Sequence, residues 1–197
     1  MKKITSLLIT ILLITSCSTF GESIRRDEAL KIYYSKNIIY KKSTNIFRVL
    51  DFSGVNKKII NDDFKYIPIF PEVEAIHFSG CKIIADEDLK YLSGLNKLEI
   101  LNFDDTNITD AGLKYLKDLK SLKELDLFNT KVTDKGIQEL ASVKSLTLLM
   151  LHGTKVTPKG IEELKKKLPK CYITLETREE IGYNHNLYRE SILPIVL

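Results

Sequence analysis

One six-residue phrase is written three times in this chain. Leu98-Glu99-Ile100-Leu101-Asn102-Phe103 recurs as Leu122-Lys123-Glu124-Leu125-Asp126-Leu127, and again as Leu146-Thr147-Leu148-Leu149-Met150-Leu151. The copies start at 98, 122 and 146, each 24 residues after the last. A second phrase follows at the same spacing: Thr106-Asn107-Ile108-Thr109-Asp110-Ala111-Gly112-Leu113, then Thr130-Lys131-Val132-Thr133-Asp134-Lys135-Gly136-Ile137, then Thr154-Lys155-Val156-Thr157-Pro158-Lys159-Gly160-Ile161. Two weaker copies precede these. Val73-x-x-Ile76-x-Phe78 leads to Cys81, Ile84, Asp86 and Leu89, and Phe47-x-x-Leu50-x-Phe52 leads to Val55, Ile60, Asp62 and Phe64. A truncated sixth unit ends at Leu168-Pro169-Lys170-Cys171-Tyr172-Ile173. A unit this short has no core of its own, so such arrays stack neighbour on neighbour.

Each half of the unit has a physical reading. Alternating apolar and polar residues, as in Leu125-Asp126-Leu127, predict a short half-buried strand. Thr109, Thr133 and Thr157 stand where a hydroxyl would cap the first free amides of a helix, and Pro158 falls at the first helical position. Asp110 and Asp134 then place negative charge at the helix's positive end. Apolar residues follow in steps of three: Leu89, Leu92, Leu95 and Leu98; Leu113, Leu116, Leu119 and Leu122; Ile137, Leu140, Val143 and Leu146. Lys114, Lys117, Lys120, Glu139 and Lys144 lie between them as a solvated outer face. The expected unit is strand, turn, helix and return, with a parallel sheet on the concave side and helices on the convex side.

The pattern resembles the leucine-rich repeat superfamily, in particular the ribonuclease-inhibitor-like 24-residue class of bacterial T-x-[I/V]-T-D-x-G units, over residues 46–173. The resemblance implies an α/β solenoid of about five to six strand-turn-helix units that binds a protein or peptide and is not an enzyme. It also implies that the column Val55, Cys81, Thr106, Thr130 and Thr154 bonds the backbone from coil to coil. Val55 has no group for that task, which makes the first unit a modified cap.

The N-terminus carries a second signal. Lys2 and Lys3 precede a mostly apolar run from Ile4 to Ile14. That run is signal-peptide length, well short of the ~20 residues that span a bilayer as a helix. It ends in Ile14-Thr15-Ser16-Cys17, which resembles the lipobox of bacterial lipoproteins. The resemblance implies cleavage before Cys17, diacylglycerol and palmitate-type acylation of that cysteine, and a bacterial cell-envelope location. Ser18 favours the outer membrane where a sorting rule of that kind operates. An ordinary secretory peptide followed by a coincidental cysteine is the competing reading. The resulting division is 1–16 signal peptide, 17–45 tether and N-terminal cap, 46–173 repeats, and 174–197 C-terminal cap or tail. Within 17–45, Arg26 to Ile32 suggests a short helix and Asn37 to Tyr40 a strand. The apolar end Ile192-Leu193-Pro194-Ile195-Val196-Leu197 either covers the last coil or docks on a partner.

Removing Lys2 and Lys3 lowers the formal charge from +4 to +2 (4 − 2), which argues against a nucleic-acid partner. Lys165-Lys166-Lys167 reads as a solvated helix face rather than a headgroup contact. Cys81 and Cys171 lie about four coils apart, roughly 19 Å at ~4.8 Å per strand. That separation excludes a disulfide and a shared metal. Both positions suit small buried hydrophobes. No metal or cofactor is expected, and the chain is read as a monomer.

Function is expected on the concave face, where residues flanking the strand leucines align from coil to coil. One column is Asp51, His77, Asn102, Asp126 and Met150; its neighbours are Ser53, Ser79, Asp104, Phe128 and His152 on one side, and Val49, Ala75, Ile100, Glu124 and Leu148 on the other. Acidic residues (Asp104, Asp105, Glu124, Asp126) occupy the middle, and Phe128, Leu148 and Met150 would be exposed apolar anchors. The candidate binding surface is therefore Asp51, His77, Asn102, Asp104, Asp105, Glu124, Asp126, Phe128, Met150 and His152. Two other readings stand beside it: a structural envelope component that assembles through its terminal caps, and a hydrolase using Asp51, His77, Ser53 and Ser79. The last lacks a pocket and oxyanion donors on a flat strand surface, so no catalytic residue is assigned.

Overall fold

The computed structural model describes residues 26–33, 35, 38–42, 48–53 and 61–182. The signal peptide 1–16, Cys17, Ser18 and the first part of the tether lie outside the described residues. So do Val55, Ile60 and the tail from 183, with its apolar end at 192–197.

Six parallel strands form the sheet's body: β2 Arg48–Asp51, β3 Ala75–His77, β4 Ile100–Asn102, β5 Glu124–Asp126, β6 Leu148–Met150 and β7 Tyr172–Thr174. A seventh, β1 (Ile39–Lys42), pairs antiparallel with β2 at the N-terminal edge. The parallel register sets Asp51, His77, Asn102, Asp126, Met150 and Thr174 side by side, and likewise Val49, Ala75, Ile100, Glu124, Leu148 and Tyr172. The columns inferred from the repeat are those of the sheet, and the truncated sixth unit supplies one more rung.

The chain leaves each strand through one repeated turn. Backbone bonds continue beyond the strands, as in Gly80 N–H to Asp104 O and Asn129 N–H to His152 O, both between 2.8 and 3.0 Å. Gly80, Asp105, Asn129 and Gly153 then hold φ of 70°, 56°, 53° and 73°. Glycine, asparagine and aspartate are the residues that enter this left-handed region at least cost.

Between sheet and convex side, the repeated leucines, isoleucines and phenylalanines form one continuous core. In its N-terminal third the rings stack along the solenoid axis, Phe52 on Phe78 at 4.9 Å and Phe78 on Phe103 at 5.4 Å. A helix over residues 26–33, α1, buries Ala29 and Tyr33 over the first coil. There Tyr33 packs edge-on to Phe52 and stacks with Phe70 at 5.7 Å. Arg26 lies over Phe70 and pairs with Glu72. The expected short helix thus covers the first coil of the core, while the strand after it runs Ile39–Lys42 at the sheet edge; Asn37 lies outside the described residues.

The convex elements depart from expectation. Asn61–Ile69 and Asp86–Leu92 are 3-10 helices. The single α-turns α2 (Asp110–Leu113) and α3 (Asp134–Ile137) run directly into 3-10 segments, Lys114–Leu116 and Gln138–Ser142. The cause is the three-residue apolar step: in a 3-10 helix side chains at i and i+3 eclipse, so a strict period of three keeps one face inward. Among the described convex segments only α4 (Pro158–Lys167) is α-helical throughout. Its buried Ile161 and Leu164, with Leu168 at its C-cap, follow the 3-then-4 step of an α-helix. Thr157 caps it by accepting from the Gly160 amide.

Two residue columns make bonds that their sequence reading did not include. Asp110 and Asp134 stand in the first turns of α2 and α3 as expected, and their carboxylates also reach sideways to the next coil. Asp110 accepts from the Thr133 amide at 2.8 Å and hydroxyl at 2.7 Å, and Asp134 from both groups of Thr157 at 2.7 Å. Asp86 does the same for Thr109. The hydroxyls of Thr106, Thr130 and Thr154, for their part, donate to the carbonyls of Phe103, Leu127 and Leu151 at 2.6 to 2.7 Å. They close a turn within one coil rather than bridging coils. Cys81 and Cys171 are free and buried, and burial pushes both thiols up, Cys171 to about 11.

Candidate functional site: the concave face

Alternation along each strand sends Leu101, Leu125 and Leu149 into the core and their neighbours to the concave side. Those neighbours are less open than the sequence suggested. Asp126 is 2 %, Met150 1 % and Phe128 5 % exposed, and His77 and Asn102 are also buried. Phe128 and Met150 are therefore not exposed anchors. Over Asp126 and Phe128 the physical reason is the chain's own return.

After β7 the backbone makes a turn built by reciprocal capping. The Thr177 amide and hydroxyl donate to Glu180 Oε2 at 2.7 and 3.0 Å, and the Glu180 amide donates back to the Thr177 hydroxyl. The Ile181 amide closes the turn on the Thr177 carbonyl. This turn carries Arg178 back over β4 and β5. Its guanidinium donates to Asp126 Oδ2, lies 3.0 Å from Asp104 Oδ2, and stands 4.7 Å above the Phe128 ring centre. His152 packs against Phe128 at 5.5 Å between ring centres, with its Nδ1 3.0 Å from the Leu175 carbonyl.

The two carboxylates are held from below as well. Asp126 accepts from Asn102 Nδ2 at 3.2 Å and from the Phe128 amide at 3.0 Å. Asp104 accepts from the Ser79 hydroxyl at 3.2 Å, and its own amide donates to Asn102 Oδ1 at 2.8 Å. Burial pushes the Asp126 carboxyl above its ordinary range, and the charge and hydrogen bond of Arg178 pull it only part of the way back. For Arg178 burial opposes the charge, but Asp126 and Asp104 outweigh it and hold the group protonated. The result is a desolvated anionic fork over an aromatic plate, filled by a guanidinium.

The rest of the candidate surface is spread around this clamp. Asp105 is exposed and pairs with Lys82 at 2.9 Å. Asp51, Asp104, Glu124, Leu148 and His152 are half-buried. Tyr172, 54 % exposed, is the exposed large hydrophobic among the described residues, and its hydroxyl donates to Glu176 at 3.0 Å. Sequence reasoning stopped one rung short of it, although its column, Glu124 then Leu148, points straight to it. Arg178 was missed too, and its signal was the capping pattern Thr177-Arg178-Glu179-Glu180. Val49, Ala75 and Ile100 form a small buried cluster apart from the main core.

The residues weighed for hydrolysis have other employment. The Ser79 hydroxyl is committed to Asp104, and Asp51 accepts from the Ser53 amide at 2.9 Å in a local turn. The Ser79 hydroxyl is thus directed to a carboxylate that Arg178 holds.

Comparison with known proteins agrees with the repeat. The family description "Leucine Rich repeat" matches residues 94–117 and 118–141. A leucine-rich-repeat protein of Leptospira interrogans is similar at 29 % identity over 56 % of this chain and 27 % of that one, with a TM-score of 0.45. Internalin C2 of Listeria monocytogenes is similar at 20 % identity over 57 % of this chain and 55 % of that one, with a TM-score of 0.41. The chain thus spans about a quarter and about half of those two proteins. The actin-binding site 2 of leiomodin-1 is similar at 20 % identity over 67 % of this chain and 87 % of that one, with a TM-score of 0.45. No curated protein matches the chain. Periodic sequence, strand register and the two matched repeats agree that the chain folds as an α/β leucine-rich-repeat solenoid.

Proposed function

We propose that this chain is a lipid-anchored protein of the bacterial cell envelope that binds a protein partner on the concave side of its solenoid. One observation carries the binding role: Glu124, Leu148 and Tyr172 stand in register on adjacent strands. They give an acidic, an aliphatic and an aromatic contact in a row, with Tyr172 open to solvent. Tyrosine offers a large rigid contact area and a hydroxyl, the composition favoured where proteins meet. The anchor rests on Lys2, Lys3, the apolar run and Cys17. Two or more acyl chains there hold a protein on a membrane where one chain is marginal.

A photo-crosslinking residue placed at Tyr172 in one strain and at convex Lys117 in another tests the surface in intact cells. Capture of one protein from Tyr172 and none from Lys117 is the expected result. Capture only from Lys117 or from the terminal caps replaces it with the structural-component reading. Labelled palmitate should enter the native chain and be lost with Cys17→Ser; equal labelling of both removes the anchor.

A further inference from the structure

We propose that Asp104, Asp126 and Phe128 form a guanidinium-recognition site, that Arg178 occupies it in cis as a latch, and that the partner opens the latch by inserting an arginine of its own. The proposal rests on the reading that the concave face binds protein. Asp126 is buried on a sheet face rather than in the core, and its side chain is 3 % exposed. Such a carboxylate needs a cation there whatever supplies it. The geometry selects among cations. Two carboxylates on adjacent strands offer a fork, and the Phe128 ring beneath offers a flat surface to a planar group. One guanidinium nitrogen, Nη2, reaches both carboxylates, so the ring makes the selection: arginine lays its plane on Phe128 while Nη2 reaches the carboxylates, whereas the compact ammonium of lysine has no plane to stack.

Arg178 fills the site incompletely. Its Nε is buried and has no hydrogen-bond partner among the described residues, so one of its donors is unspent. It is delivered by a single turn on a surface segment, held by the Thr177–Glu180 cap and the His152–Leu175 contact. An incoming arginine that brings an acceptor for its own Nε restores every bond that Arg178 gives up and adds one. Exchange of one guanidinium for another leaves Asp126 neutralised throughout. The surface so uncovered adjoins Glu124, Leu148 and Tyr172, which ties the latch to the proposed contact row.

The test uses the full chain in detergent micelles, with acetyl-Gly-Arg-Gly-amide and its lysine counterpart as probes. The NMR shift of the Phe128 amide, which donates to Asp126, is the reporter. With Arg178→Ala the arginine peptide should move that signal with an affinity at least ten-fold tighter than for the native chain, and at least ten-fold tighter than the lysine peptide. Arg178→Gln, which keeps a polar donor on a shorter stem, gives the same comparison if the alanine variant does not fold. Adding Asp126→Asn should abolish the response. No shift in either variant, or equal shifts from the two peptides, overturns the proposal. The two readings also fail separately. Peptide binding without any crosslink from Tyr172 keeps the clamp and ends the partner surface. A crosslinked partner that holds native and Arg178→Ala chains equally, with its own arginines replaced, keeps the surface and ends the clamp.

Discussion

Gly136 and Gly160 are glycines because the preceding coil's carboxylate lies where a methyl group would go. A Cβ on Gly136 would sit 2.1 Å from Asp110 Oδ1 and 2.9 Å from the Asp110 Cα, and one on Gly160 2.2 Å from Asp134 Oδ1. Gly136→Ala should therefore destabilise by about 2 kcal/mol. An unobstructed helical glycine would instead gain up to ~1 kcal/mol from the same change. Urea midpoints decide the sign, and a stabilised variant would sink the account. The carboxylates themselves answer to pH. Thr157's amide and hydroxyl bond the ionised form of Asp134 and hold its carboxyl below the usual range. That stability is present above the unfolded carboxylate value, ~4, and is lost as pH falls through the lower folded value. Asp134→Asn should cost about 1 kcal/mol at pH 7, discounted for solvent screening. The gap to the native chain should narrow as pH falls below ~4. The Thr-Asp-x-Gly phrase was plain in the sequence, but its partner was not: recurrence shows which residues matter without showing which coil they touch.

At the scale of elements, strands and convex turns were legible to different degrees. Strand position and register followed from Leu-x-x-Leu-x-Leu because a period of two admits one choice of inward face. The convex segments were read as helices from a step of three, which matches the 3.0 residues per turn of a 3-10 helix and falls short of the 3.6 of an α-helix. The observed compromise puts unusual weight on the caps. The Thr133 hydroxyl donates to Asp110 at 2.7 Å and accepts from the Lys135 amide at 3.3 Å, so one oxygen starts α3 and ties it to the coil before. Thr133→Val keeps the shape and removes both bonds, and should cost about 2 kcal/mol, the upper end for a cap. Thr133→Ser should recover most of it. Denaturation of the pair measures this directly. No loss in Thr133→Val would show that the two hydroxyl bonds contribute nothing to stability.

For the whole molecule, the repeat could be read to its columns but not to its cover. Arg178, which covers Asp126 and Phe128, lies outside the repeat and reaches Asp126 across 52 positions of sequence. No local periodicity encodes such a return. Its energetic trace should be visible in the pH dependence of folding. Asp126 is already pushed up by burial, and Arg178 supplies the largest opposing effect. Arg178→Ala therefore raises the carboxyl further. The folded state then keeps a proton that the unfolded chain releases above ~4, so stability falls as pH rises through the window between those two values. At pH 8 the variant should be about 2 kcal/mol less stable than the native chain. That is less than the roughly 3–5 kcal/mol of a fully buried broken pair, because Arg178 is partly open to solvent. At pH 4.5 the deficit should shrink, since protonated Asp126 needs no cation. Adding Asp126→Asn should remove the pH dependence of the Arg178→Ala deficit, so that Arg178→Ala costs the same at both pH values in the Asp126→Asn background. A deficit equal at pH 4.5 and 8 would mean that Arg178 stabilises by covering Phe128 alone, and that the charge of Asp126 is satisfied without it.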